Sequence, residues 1–145
     1  MICNGTSATG LRANLNFTSG GVAIIAQDSP LPALSQPVVI DASTQAGYVN
    51  RPVIAIDGIV AGPGDGLSIL APGCELRGLI IGRFQQAGIA VRAADARVTG
   101  CWVGMDPTGG AAWANGGDGI LVRADRAVIG GARSEERRVG KECRL

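Results

Sequence analysis

The sequence GLSILAPGCELRGLIIG, residues 66–82, is repeated as GIAVRAADARVTGCWVG, residues 88–104, at a shift of 22 residues. A shorter third copy, GILVRADRAVIGG, occupies residues 119–131 at a shift of 31 from the second, so about nine residues are inserted between these two copies. Short repeats of β-branched residues punctuated by Gly are typical of a β-solenoid, in which stacked coils bury one continuous apolar face. We therefore base the predicted fold on these repeats.

Apolar residues alternate with a period of two inside each copy, which is typical of strands with one buried face. The predicted inward residues are Leu67, Ile69, Leu79, Ile81, Ile89, Val91, Cys101, Val103, Ile120 and Val122. The predicted outward residues are Ser68, Leu70, Ile80, Ala90, Arg92, Trp102, Leu121 and Arg123. The alternation breaks at Gly78 and Gly100, which are predicted to turn corners in the chain. A helix is disfavoured because each interior Gly would cost it about 1 kcal/mol.

Strands are also predicted upstream of the repeats, within GVAIIA (21–26), QPVVIDAS (36–43) and RPVIAIDG (51–58). The last two follow a Pro, which costs no ladder hydrogen bond at the first position of a strand. Asp41 and Asp57 end them. These two carboxylates could form a catalytic dyad, or each could cap its own turn by accepting backbone hydrogen bonds.

Composition excludes several classes of function. The 145 residues include 23 Gly but no His, so Ser-His and Cys-His catalysis and most transition-metal sites are excluded. A net charge of +1 implies no nucleic-acid partner. No apolar run is long enough to span a membrane, and no signal-peptide pattern follows Met1.

The C-terminal stretch RSEERRVGKECR, residues 133–144, resembles a translated sequencing adapter and contains the only Lys of the chain. We expect residues 132–145 to be a non-native or disordered tail, with a natural charged tail as the alternative, and the natural protein to continue as a larger parent chain. Of the other cysteines, Cys101 falls in an inward column and Cys74 in a turn. The repeat gives no support for a disulfide between them.

The pieces LPALSQPVVIDASTQAG, PVIAIDG, DGLSILAPGCELRGLIIGRF, VTGCWVGMDPTGG and GDGILV resemble bacterial right-handed parallel β-helix repeat proteins, which are secreted or cell-surface solenoids of the pectin-lyase-like kind. The resemblance covers about residues 31–131. Together with the repeats, it implies an all-β fold: a single right-handed parallel β-helix of about four to five coils, open at both ends. We place this domain at residues 15–131, after an irregular segment at 1–14. A secreted or cell-surface location is implied for the parent protein.

Polysaccharide lyases and hydrolases on this fold need clustered carboxylates on an outer face, but the outward columns of the repeats contain none. We therefore expect a non-catalytic structural or surface module with no catalytic residue. The alternatives are a polysaccharide lyase or glycosidase and a phage tailspike fragment. Arg92 and Arg123 are expected to be neighbours, either as a contact for an anion or acidic sugar or as a solvated face.

The insertion MDPTGGAAWANGGD, residues 105–118, is the feature that the repeat does not require. Insertions in solenoids often form binding loops, and the residues expected to contact a glycan are Trp102, Trp113, Asp106, Asn115 and Asp118. Asp106 and Asp118 could also hold Ca²⁺; no other cofactor is expected. Alternatively, Trp113 folds back and covers the apolar surface of its own loop.

Overall fold

A computed structural model of the protein describes residues 22–130, and all the regular secondary structure in this range is β-strand. The predicted irregular segment 1–14, the start of the predicted domain at 15–21, and the predicted tail lie outside the described residues. Both predicted domain boundaries therefore stay predictions.

Eleven short strands make up the described part of the chain. They are β1 (Ala23–Ala26), β2 (Val39–Asp41), β3 (Ile54–Asp57), β4 (Leu67–Ile69), β5 (Glu75–Arg77), β6 (Leu79–Gly82), β7 (Ile89–Val91), β8 (Arg97–Thr99), β9 (Trp102–Val103), β10 (Ile120–Val122) and β11 (Val128–Ile129).

The strands form three parallel sheets. The first sheet has the order β1-β3-β6-β9, the second β4-β7-β10 and the third β2-β5-β8-β11. Successive strands from β3 onward visit the first, second and third sheets in rotation, and Leu34 adds an isolated parallel bridge to Ile69 beside β4. The prediction of an all-β fold with parallel strands is confirmed for residues 22–130.

The alignment of the sequence repeats is also the register of the sheets. Leu67 pairs with Ile89, which pairs with Ile120, so the three residues form one column as predicted. The first sheet aligns Ile81 with Val103 at the same shift of 22 residues. Repeat copies and neighbouring strands coincide because each copy presents the same apolar positions to the strand beside it.

The predicted inward residues form the core. All ten are buried, and a single hydrophobic cluster combines them with residues from all three sheets, such as Ile40, Ile54, Leu76 and Val98. Burial of each Ile, Leu or Val side chain contributes roughly 1.5–3 kcal/mol, so this cluster is the main source of stability. Gly78 and Gly100 adopt φ of 73° and 63°, which confirms their role at the corners.

Two turns pack closely where the glycines leave room. A Cβ at Gly66 would overlap the carbonyl oxygen of Gly88, and a Cβ at Gly58 would overlap the ring of Phe84. Phe84 is itself buried at the core. Gly at these two positions therefore permits a close approach of successive repeats, independently of φ.

The prediction that outward residues face solvent is wrong for the first sheet and for Ala90. Ala90 and Ile80 are fully buried, and Trp102 is only 6% exposed. Ile80 and Trp102 do lie on the face away from the main core, where they form a second cluster with Val22 and Ala55. Trp113 packs against this second cluster, so the outer face of the first sheet is covered by the protein itself.

Candidate functional site

The insertion begins as a small hairpin. Met105 and Ala112 form an antiparallel bridge, and the Asp106 amide donates to the Ala111 carbonyl at 3.0 Å. After the hairpin, the chain returns to the ladder: the Gly116 and Gly117 amides donate to the carbonyls of Phe84 and Gln86. The part that projects from the repeat pattern is thus residues 105–112, which we call the insertion hairpin.

Asp106 organises the hairpin from within. Its carboxylate accepts hydrogen bonds from the Thr108 hydroxyl at 2.8 Å and from the Gly110 and Ala111 amides at 3.1 Å. The hydrogen bond from Thr108, followed by the backbone amides, lowers the pKa of Asp106 below its ordinary value. The carboxylate predicted to meet a ligand is therefore engaged by its own loop.

Trp102 forms the floor beneath the hairpin. Its ring packs so closely on Gly109 that a Cβ there would lie 3.0 Å from the ring. The Arg51 guanidinium lies 5.7 Å from the ring centre and also donates to the carbonyl of Pro107. Sugar stacking needs an exposed ring face, and the burial of Trp102 removes it.

Trp113 joins the hairpin to the preceding repeat. Its carbonyl accepts a hydrogen bond from the Arg83 amide at 3.1 Å, and its amide donates to Gly104 at 2.9 Å. A Cβ at Gly82 would lie 2.5 Å from the Trp113 carbonyl oxygen, so only Gly permits this approach. The side chain is partly buried, and it packs against the second cluster on the first sheet rather than against the apolar surface of its own loop.

Arg83 and Asp57 anchor Trp113, and the sequence did not single out Arg83. The Arg83 guanidinium lies 4.4 Å from the Trp113 ring centre, while its Nε donates to the Asp57 carboxylate at 2.9 Å and its Nη2 to the other oxygen. The hydrogen bond that Arg83 donates to the Asp57 carboxylate raises the pKa of Arg83. The sequence feature that could have pointed to this contact is Asp57. It is a carboxylate that lies in the same column as Gly82 and Gly104.

The Asn115 side chain also contacts the backbone of the preceding repeat. Its Oδ1 accepts a hydrogen bond from the Phe84 amide at 3.0 Å, and its Nδ2 is buried without a partner. Asp118 contributes its backbone, since its carbonyl accepts from the Gly88 amide at 3.1 Å. The Asn115 side-chain oxygen and the Asp118 carbonyl are thus used in contacts with the preceding repeat, and the ligand contacts expected of these two residues stay predictions.

A cavity of about 430 Å³ opens beside the hairpin. Its lining includes Val103 at the end of β9 and the next residue, Gly104. It also includes Met105 and Ala112 from the hairpin, and Asn115 and Gly119 from the returning segment. No residue of the preceding repeat lines it, so it lies on the side of β9 that faces away from β6.

The acids of the described chain act mainly as caps and ion-pair partners. Asp41 accepts from the Ser43 amide and Asp57 from the Ile59 amide, so each caps its own turn, as the second of the two interpretations predicted. They pair with different arginines, Arg77 and Arg83, and do not form a dyad with each other. Within residues 22–130, no group of three or more Asp, Glu, Cys or His side chains could hold a metal ion. The Ca²⁺ assignment to Asp106 and Asp118 stays a prediction.

Arg92 and Arg123 directly follow the adjacent strands β7 and β10. The Arg92 amide donates to Ile69 and the Arg123 amide to Val91, so the two residues occupy neighbouring positions as predicted. The Arg92 guanidinium pairs with Asp65 at 3.2 Å, and Asp65 also accepts from the Ala87 amide. The positive charge of Arg92 is therefore already partly balanced.

Cys74 and Cys101 are both buried, and no disulfide joins them to each other. Within the described range, no helix is long and apolar enough to cross a membrane.

Comparisons of the chain with protein-family profiles, curated proteins and solved structures found no match.

Proposed function

We propose that the chain is a non-catalytic structural module whose three sheets are the faces of one right-handed parallel β-helix, with four coils in residues 22–130. The strand rotation supports this proposal, because β3 and β6 pair in parallel after the chain has passed through the other two sheets. A crossover between parallel strands of one sheet is right-handed in nearly all proteins, owing to strand twist.

The observation that carries the proposed structural role is a set of ion pairs between successive repeats. Asp41 pairs with Arg77, Asp57 with Arg83, Asp65 with Arg92 and Asp95 with Arg126, and each pair joins one repeat to the next. Enzymes on such a scaffold need acids that converge on substrate. These four acids instead pair with arginines of the next repeat, which supports the proposal of a structural module.

Paired nitroxide labels test the proposed coil order. Val39 and Val128 are about half exposed and belong to one column of the third sheet, separated by Glu75 and Arg97. Three strand spacings place them about 14 Å apart. The doubly labelled protein should show dipolar broadening that the two singly labelled proteins lack. An unbroadened spectrum contradicts the coil order, and an experimental structure with left-handed coils contradicts the handedness.

We also propose a glycan contact at the exposed part of Trp113 beside Arg83. The support is the partly buried ring held by a guanidinium, together with the adjacent open cavity. Secretion or display at the cell surface belongs to the same proposal and rests on the resemblance to β-helix repeat proteins.

Incubation of the protein with pectin, alginate and chondroitin sulfate tests both the proposed glycan contact and the proposed absence of catalysis. The full chain should bind one or more of them without generating new chain ends, and Trp113→Ala should weaken binding at least fivefold, while Leu70→Ala, an exposed control on another sheet, should not. Cleavage of any polymer would overturn the non-catalytic assignment in favour of a lyase or glycosidase. Equal binding by both variants would remove the glycan contact.

A further inference from the structure

The two ends of the described sheets expose the same three columns. At one end lie β1, the Leu34 bridge and β2; at the other lie β9, β10 and β11. Each end therefore presents one edge from each sheet, in the same order along the chain. Within residues 22–130, these edges have backbone groups with no neighbouring strand, and such edges are templates for pairing with another chain.

Exposed apolar side chains mark both ends. Ile24 in β1 is 48% exposed and Val39 in β2 is 49% exposed, whereas Val128 in β11 is 44% exposed. Ile24 belongs to the column of Ala55, Ile80 and Trp102, whose other members are buried. Val39 and Val128 are the two ends of a single column in the third sheet. The apolar surface at the ends thus lies in columns that an added repeat would extend.

We infer that the chain associates head to tail with a second copy of itself, the β1 end of one copy docking on the β9 end of the other. This inference rests on the proposed coil order. With the register continued, Ile24 of the incoming copy lies beside Trp102, its Leu34 beside Val122, and its Val39 beside Val128. All three sheets then continue across the interface, and the half-exposed side chains of Ile24, Val39 and Val128 become buried.

The cavity beside the insertion hairpin fits this arrangement. It lies on the free side of β9, and its walls are mostly Gly and Ala. In the preceding repeats, a side chain of the next repeat fills the equivalent space: Phe84 lies against Gly66, and Asn115 lies against Gly88. Gly119 occupies the next position of this column and lines the cavity. The turn after the incoming β1 would enter here.

Such an interface is heterologous, because the two docking surfaces differ. Sedimentation velocity of the full chain should show species that grow with concentration beyond a dimer. Ile24→Lys blocks only the β1 end. Val128→Lys blocks only the opposite end, which the proposal calls the β9 end and which also contains β11. Each variant alone should therefore be monomeric. Mixed in equal amounts, they should form a 1:1 dimer and nothing larger, since each supplies the surface that the other lacks. Ile59→Lys, an exposed apolar control in a turn, should assemble like the parent chain.

Circular dichroism spectra of every variant show whether it is folded. Ile24→Thr and Val128→Thr provide milder substitutions at the same two positions, so that loss of association can be separated from loss of folding. A monomeric parent chain, assembly that survives both end substitutions, or an unresponsive mixture of folded variants would overturn the inference. The Val39–Val128 label distance, measured in dilute protein, distinguishes the two proposals. A wrong distance rejects the coil order, whereas the expected distance without assembly rejects only the stacking.

Discussion

The guanidinium carbon of Arg83 lies 4.4 Å from the centre of the Trp113 ring. Asp57 fixes the guanidinium by accepting a hydrogen bond from its Nε, and the Asp57 side chain is almost completely buried. A buried carboxylate is costly without its partner, while a guanidinium over an aromatic face contributes a further attraction. This arrangement connects β3, the turn after β6 and the insertion in one stack.

Replacing Arg83 with Met should destabilise the protein by about 2 kcal/mol or more, because Asp57 would stay buried without a cation. Arg83 is itself one-third exposed, so water screens part of the interaction. Urea unfolding measures the change. Arg126→Met is the matched control, since its pair with Asp95 is exposed on both sides, and its effect should be much smaller. Equal losses for the two variants would contradict the role given to burial of Asp57.

The sequence predicted the columns of the sheets because the repeat and the ladder have the same physical origin. Each apolar residue in the copy at 66–82 needs an apolar neighbour on the next strand, so the copies align as the strands do. Gly78 and Gly100 could also be assigned, since the break in alternation at a Gly requires a special backbone conformation.

The outer face of the first sheet could not be predicted in the same way. Ile80 and Trp102 are buried by contacts from Trp113 and the insertion hairpin, and the period of two distinguishes one sheet face from the other without revealing what covers either. Arg51 and Pro107 are 56 residues apart, and Arg83 lies outside the aligned copies. Pairings of this kind leave no periodic signal.

Trp102→Ala should cost about 3–5 kcal/mol, because the ring is buried in the second cluster and its loss leaves a cavity under the hairpin. Trp113→Ala should cost less, about 1–2 kcal/mol, since that ring is only partly buried. Thermal unfolding followed by circular dichroism compares the two variants. A Trp102→Ala protein as stable as the parent would show that the hairpin does not rest on this ring.

Gly66→Ala should destabilise the protein by about 2–3 kcal/mol, because the added Cβ would overlap the Gly88 carbonyl oxygen and force the repeats apart. Gly73→Ala is the control for backbone conformation. Gly73 has a φ of 77° and no atom near its Cβ position, so its substitution should cost about 1 kcal/mol from strain alone. Denaturant titration of both variants gives the comparison, and a larger loss at Gly73 would contradict the close approach at Gly66.

Asp106 should titrate below the ordinary pKa of an aspartate, since the Thr108 hydroxyl and the amides of Ala111, Gly110 and Thr108 stabilise its charged form. The folded-state pKa is the lower one, so the contribution of Asp106 to stability is fully present above the ordinary aspartate pKa. It is lost as pH falls through the lowered value. NMR titration of the side-chain carboxyl carbon measures this pKa directly.

Thr108→Ala removes the largest cause of the shift and should move the pKa of Asp106 upward, toward its ordinary value, while leaving the backbone amides in place. Thr99→Ala is the control, because Thr99 lies in β8, away from the hairpin. An unchanged Asp106 pKa in the Thr108 variant would show that the backbone amides alone hold the carboxylate. A pKa at the ordinary value in the parent chain would contradict the capped hairpin altogether.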